Sequence, residues 1–490
     1  YYPQKIISNK KKPINVIWSS SVIFQKFQKY VQGELGIKDY LSFVKAQDKK
    51  YKNSSLCIYA SDLETINYRT KRYKTENILN DSEWDRVEKI LLEFKKRSFE
   101  FMNPSSLLKL KSKVSNKNLI FDNPAFPCIT KKQDKYNILR WAVTGRDDNK
   151  INSICWKIYE YFTRRKIKNL EYWKKLCYFW SSDFRTHITN KRWAKFKKDL
   201  NFFAKKFNLK NKKIHIRNKT YLSSLKLSKF DDKITAEGKN LKIVLNTKRG
   251  CSIEKYYDKR LSNSFLFGLV PQGFFDDISK GADFYTGHQV IEPLGKHKIT
   301  DLLKTDVKIN KWKNGIIVKS SFKNKIGNFK KFIFFDEINN KIGIKNEIKI
   351  FKNLNGSIRL SHITLNPNLF KKNLYYATHN GGKFFEKFKL SGKNFDHGKS
   401  VSHLVSANQA VGVTESVIYL GDKSKKVCIN IDRNFDTQVG MISYEKVKNK
   451  KFFRLYFSVK EHDDTTKNVK DFKIETLNWI STKVKPNEKR

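Results

Sequence analysis

Two carboxylates, Asp62 and Glu64, stand just past the apolar run Leu56-Cys57-Ile58-Tyr59-Ala60. A continuous run of that length is the form of a strand buried on both faces, and reacting groups gather at the carboxyl ends of such strands. A carboxylate backed by apolar side chains has its ionised form desolvated, which lifts its pKa toward that of a general acid. The alternative is that Asp62 caps the next loop and Glu64 pairs with Arg69, Lys71 or Arg72. A second group follows Trp180: Asp183 and His187 are four apart and share a face if a helix continues through them. Aromatic rings such as Trp173, Trp180 and Trp193 beside Asp and His suit a saccharide's C–H faces and hydroxyls. A bundle core closed by a satisfied polar cluster would use the same residues. Arg146 lies in a loop before a helix, as a substrate contact or as the partner of Asp147. The stretch from Gly273 to His288, dense in Gly, Asp and aromatics, reads as a tight loop between strands, with substrate contact as its second use. Nucleophile triads, Gly-rich phosphate loops and H-E-x-x-H are absent from the sequence. His288, His362, His379, His397 and His403 show no metal-ligand spacing, so neither metal nor cofactor is expected.

The elements that would position these groups fall into three textures. Up to about residue 125, helix and strand alternate: a helix over 22–31, the apolar strand, then a helix capped by Asp81 or Ser82. That helix carries Val87, Ile90, Leu91 and Phe94 on one face. Buried strand followed by amphipathic helix is the unit of an α/β barrel or doubly wound sheet. From 126 to 212 the chain reads as a bundle of helices. The first, capped by Asn149, carries Ile151, Ile154, Cys155, Ile158 and Phe162. The second carries Leu170, Trp173, Leu176, Cys177 and Trp180, and the third Trp193, Phe196, Leu200 and Phe203. From 213 to 490, short β-rich stretches such as Lys242-Ile243-Val244-Leu245 and Gly315-Ile316-Ile317-Val318 alternate with turn signals, the pattern of a large β-sandwich. The fold class expected is multidomain α+β.

At 490 residues the chain exceeds a single ordinary core. Six scattered cysteines fit neither a disulfide scaffold nor a zinc site, and indicate a reducing, cytoplasmic setting, with Cys155 and Cys177 as core residues. No apolar run reaches the roughly 18 residues of a membrane span. The net charge of +54 would suit a polyanion partner. Yet the excess is lysine spread through every segment, and no helix-turn-helix, RRM, KH or zinc-finger pattern accompanies it. The charge is therefore read as setting solubility, and nucleic acid is not the expected partner.

Residues 58–76, IYASDLETINYRTKRYKTE, resemble the family-57 glycoside hydrolase motif in which a strand ends in Asp-x-Glu. The resemblance implies that Asp62 is the acid/base. Residues 180–187 resemble the family's later motif, implying that Asp183 and His187 contact substrate. GADFYTGHQVIE and YYATHNGG are similar to the mutarotase-like sandwich of amylase and glucanotransferase members. By this resemblance 1–125 is the C-terminal part of a (β/α)7-type barrel. Leu63 stands where the family usually has Gly, and Arg185 and Thr186 replace the usual aromatics. None of the 61 residues before Asp62 resembles the family's His-Gln-Pro strand or its nucleophile segment, so the nucleophilic Glu is expected upstream of an N-terminally truncated chain. The function implied is a retaining glycosidase or transglycosylase acting on α-linked glucans or related polysaccharides. Asp62 is its general acid/base, and Glu64, Arg146, Trp180, Asp183 and His187 are its substrate contacts. A non-catalytic carbohydrate-binding or assembly subunit and a polyanion-binding protein are the rival readings.

Overall fold

The computed structural model describes residues 3–8, 11–50, 55–58, 82–109, 119–120, 143, 147–181, 184, 190–209, 225–379 without 294, 313, 353 and 355, then 385–390, 410–462 without 414, and 471–483. Helices and sheets are mixed in two compact units, 1–132 and 133–490.

In the first unit, helices Ser21–Val31, Ile37–Lys50 and Glu83–Lys96 pack around Tyr40, which is stacked on Tyr30 and edged by Phe27 and Phe94. Ser20 begins the first helix by accepting from the Ile23 amide, which satisfies one of the donors left open at a helix start. On the third helix the expected face is only partly sealed: Ile90 and Phe94 are buried, while Leu91 is exposed. Strands Lys11–Val16, Gln4–Ser8 and Leu119–Ile120 form a small sheet, antiparallel in its first pair and parallel in its second. Residues 55–58 are not a strand. Leu56 and Ile58 instead rest half-buried against the helical core, so the described part of this apolar run is explained by helix packing.

The second unit opens with helices Asp148–Arg165, Leu170–Trp180 and Asn190–Lys205. Their shared core holds Ile151, Cys155, Ile158, Phe162, Leu176, Phe179, Trp193, Phe196, Leu200 and Phe203. Cys177 and Leu170, expected in that core, are exposed. Asp147, not Asn149, takes the N-cap position, and the Asn149 amide instead donates to the Thr437 carbonyl.

Beyond the helices, two sheets pack face to face. One has six strands in the order Ile299–Thr300, Val290–Pro293, Gly356–Thr364, Lys450–His462, Val439–Val447, Ala410–Val413. The other has nine, all antiparallel. Strand Phe472–Lys483 lies at its centre, between Lys341–Ile350 and Lys426–Ile431. Ile291, Ile358, Leu360 and Val459 from the first sheet meet Phe329, Ile348, Ile350 and Ile474 from the second. A five-stranded sheet starting at Lys226–Phe230 joins the same unit, the arrangement expected from short strands bounded by turns. The first bundle helix is fastened to the segment that connects strand Lys426–Ile431 of the nine-stranded sheet with strand Val439–Val447 of the six-stranded one. Ser153 Oγ accepts from the Thr437 amide at 2.7 Å, and Lys150 pairs with Asp436 at 2.7 Å.

Phe162 is fully buried among Tyr172, Trp173, Phe203 and Phe207. Phe162→Ala is expected to destabilise this unit by about 3–5 kcal/mol through a cavity lined by rings that cannot collapse onto it. Denaturant unfolding measures this, and a loss under about 1 kcal/mol would mean that the helical core is not packed as described.

Candidate functional site

Strand Lys450–His462 alternates with period two. Leu455, Phe457 and Val459 are sealed toward the second sheet, while Arg454, Tyr456 and Ser458 face the opposite side. In its neighbour, Gly356–Thr364, the register slips. Ser361 and His362 together oppose Tyr456, and Ser361 takes a left-handed φ of 49°. Such a bulge re-aims a side chain. Ser361 Oγ turns inward to accept from Asn346 of the other sheet at 2.9 Å, and His362 is presented outward over Tyr456. Just ahead of strand Val290–Pro293, Gln289 also turns inward, donating to Asn346 at 2.9 Å, and His288 turns outward.

The two imidazoles therefore meet. Their rings stack with centroids 4.1 Å apart, and the facing backbone is joined by the Gly287 amide donating to the His362 carbonyl at 2.7 Å. Burial holds both well below the usual imidazole range, and Arg454 adds to the effect on each. Two neutral rings can stack where two cations could not. His362 Nδ1 lies 3.3 Å from the His288 carbonyl and so carries its proton there, which leaves Nε2 as an acceptor. Arg454 Nη2 approaches His288 Nε2 at 3.4 Å, which places the proton of that ring on Nδ1.

Charged groups extend the row. Arg359 spans two carboxylates, with Nη1 3.0 Å from Glu292 and Nε 3.6 Å from Glu461, and lies over the Tyr456 ring. Burial pushes the Glu461 carboxyl up to about 7, against the pull of Arg359 and the 2.6 Å hydrogen bond from Ser458. Burial acts on Glu292 in the same sense, but Arg359 and Lys298 hold it below the ordinary carboxylate value. The Glu461 backbone amide donates to the Val143 carbonyl, so the segment before the helices helps fix this carboxylate. Arg454, Tyr456 and Arg359 are half-buried, which leaves the face reachable. The Glu461 carboxyl, near 7, can give and take a proton at neutral pH, and His362 Nε2 offers an acceptor beside the row. Among the described residues no three His, Cys, Asp or Glu gather as metal ligands.

Asp62, Glu64, Arg146, Asp183 and His187 lie outside the described residues. Trp180 is half-buried in the helical group, where its indole N–H donates to Asn152 at 2.8 Å and its ring meets Trp156 edge-on. The loop read from Gly273 to His288 does deliver Tyr285 and His288 to the row. Sequence reading passed over Arg359, His362, Arg454, Tyr456 and Glu461. The one signal that could have pointed to them is the polar–apolar alternation from Phe453 to Ser458, which marks an outward polar face.

No family model and no curated protein sequence matches this chain. Among solved structures it is similar to the 4-alpha-glucanotransferase of Thermococcus litoralis, at 10% identity over 99% of this chain and 75% of that one, with a TM-score of 0.32. It is also similar to a galactose mutarotase related enzyme of Lactobacillus acidophilus (10% identity, 52% and 99% covered, TM-score 0.34). A galactose mutarotase-like protein of Clostridium acetobutylicum stands alongside (10% identity, 53% and 98% covered, TM-score 0.33). What the site does has to be argued from its own chemistry.

Because both folded imidazoles sit below their unfolded value of 6.5, the unfolded chain takes up two protons that the fold refuses as pH falls past that point, so stability drops on acidification. Glu461 acts in the opposite direction: between 4.5 and about 7 the fold keeps a proton that the unfolded chain releases, so stability drops as pH rises. Between pH 5 and 6.5, His362→Gln should remove one proton of linkage. The wild-type stability curve should then fall on acidification more steeply than the variant's, by about 0.7 kcal/mol per pH unit at pH 6.5 and approaching about 1.4 near pH 5. Parallel curves would show that this ring is not held neutral.

Proposed function

We propose that this chain is a carbohydrate-active enzyme whose second unit holds a saccharide on the outer face of the six-stranded sheet. The observation that carries this reading is a set of sealed polar atoms on that face that have no hydrogen-bond partner among the described residues: His288 Nδ1, Thr364 Oγ1, Arg454 Nε and Glu461 Oε2. Buried polar groups are rarely left unmet, and exceptions mark places where a ligand or water completes the bonding. The set contains both donors and acceptors, and a sugar hydroxyl is both donor and acceptor. The flanking Tyr456 and Phe284 rings suit its C–H faces. In this reading His362 and Glu461 exchange protons with bound hydroxyls.

The finer part of the proposal rests on the sequence: a retaining glycosidase or transglycosylase in which Asp62 protonates the departing glycosidic oxygen. Glu64, Arg146, Trp180, Asp183 and His187 then line its substrate path, and a carboxylate nucleophile stands about 5–5.5 Å from Asp62. Residues 1–125 would be the barrel portion, 126–212 the bundle and 213–490 the sandwich. A second reading, a carbohydrate-binding subunit without glycosidic chemistry, is favoured by the polar row alone, which lies wholly in the second unit.

Turnover and binding of maltooligosaccharides by the full chain separate the two. For the enzyme, Asp62→Asn should cut turnover of a natural substrate by at least about 100-fold, as loss of a general acid does, with affinity kept. Tyr456→Ala should weaken binding several-fold with the circular dichroism spectrum unchanged. Binding without turnover in the wild type would leave only the binding subunit, and turnover untouched by Asp62→Asn would remove that residue from the chemistry.

A further inference from the structure

The cations of the sandwich differ in how they are answered. Arg359 has Glu292 and Glu461, Lys298 has Glu292, and the sealed Lys331 on the inner side has Asp301 at 2.7 Å. Among the described residues Arg454 has no carboxylate partner. Its Nη2 donates to the Tyr285 carbonyl at 3.1 Å and approaches the neutral His288 ring, its Nε donates to nothing, and its charge rests over Phe284 at 5.6 Å. Burial pulls its pKa down, the sign of a charge short of solvent and of counter-charge. A guanidinium so placed is unfavourable until an anion arrives.

Its neighbours across the ladder are suited to one. Across the ladder Arg454 stands opposite Thr364 on one side and Ser443 on the other, so the guanidinium is flanked by two short hydroxyl side chains on the same face. Thr364 Oγ1 is sealed and has no hydrogen-bond partner. A fork of N–H donors between hydroxyls is the geometry that receives a carboxylate or phosphate group.

We propose that the ligand of this face is an acidic saccharide, whose oxyanion, a carboxylate or a phosphate, pairs with Arg454. The inference rests on the saccharide reading above and narrows it to a charged sugar. It also links recognition to acid–base chemistry. Arg454 is one of the groups holding both imidazoles down, so an oxyanion that neutralises it raises the basicity of His288 and His362 only when the ligand is bound.

The test uses the full chain at low salt, with glucose, glucuronate, glucose 6-phosphate and inorganic phosphate titrated separately by calorimetry. At least one anionic sugar should bind more tightly than glucose by at least about tenfold, the preference a charge-assisted hydrogen bond confers. The tighter of the two identifies carboxylate or phosphate. Arg454→Met should erase the difference and Arg454→Lys should keep part of it. Proton NMR of the wild-type imidazoles provides a readout that needs no variant: both titrations should move to higher pH on adding the preferred anionic sugar, and not on adding glucose. Equal affinity for all three sugars, or a preference that survives in folded Arg454→Met, overturns the charged-sugar inference and leaves the saccharide reading standing. Phosphate bound through Arg454 with no sugar bound overturns the saccharide reading and keeps the oxyanion site. No binding by any of the four overturns both.

Discussion

The side chain of Asn346 is fully sealed between the two sheets, and much of the second unit is organised around it. It accepts from Gln289 and donates to Ser361, the residues that adjoin His288 and His362 in sequence. Each imidazole is thus carried on a segment whose neighbouring residue is pinned by the same amide from the opposite sheet. An unmet amide in that core would cost several kcal/mol, so the bonding that satisfies Asn346 also dictates where the two strands sit. The left-handed Ser361 is the local expense of this arrangement, on the order of 1–3 kcal/mol, and it persists because the surroundings determine it. Ring stacking, the neutral state of both histidines and the outward row of arginines all follow from that placement.

Electrostatics on this molecule operates at two levels that hardly touch. A net charge of +54 is distributed over solvated lysines, where pairs such as Lys448–Asp276 contribute little because water screens them. Inside the sandwich each charge matters singly. Lys460 is buried beside Asp147, Lys331 beside Asp301, and Arg359 between two glutamates. In such a setting removal of one partner strands the other, which is why composition says little about the site and individual pairings say a great deal.

How much of this could be read in advance depended on the range of the interactions. The helices Asp148–Arg165 and Asn190–Lys205 were legible because each has one apolar face and a polar remainder. Leu170–Trp180 was misread at Leu170 and Cys177 because it is apolar almost all round. A stripe through Tyr172, Leu176 and Phe179 fits the helical period as well as the expected one, and only the packing against Phe203 and Phe196 selects it. The run Leu56-Cys57-Ile58 has the composition of a buried strand, but its described residues, 55–58, serve a helical core. The site was harder still. His288 and His362 are 74 residues apart, and Arg454 is 166 from His288, so their meeting depends on strand order and on a bulge, neither of which has a local signature. The alternation around Arg454 in the sequence could have told which side chains share a face, but nothing about what stands opposite.

The position of strand Phe472–Lys483 in the middle of the nine-stranded sheet has a bearing on how the protein is made. During synthesis, Val307–Ile350 can assemble as one antiparallel block, and the strands from Tyr375 to Ile431 as another. Both blocks present an open edge toward the gap that this strand fills. It emerges from the ribosome after every other strand of the sheet, and it pairs with Lys341–Ile350 along ten residues and with Lys426–Ile431 along six. Until then the Asn346 side of the core has no lid at Thr476 and Leu477, and two strand edges stay unpaired. A chain cut short before Phe472 would therefore carry two half-sheets ready to pair with other chains.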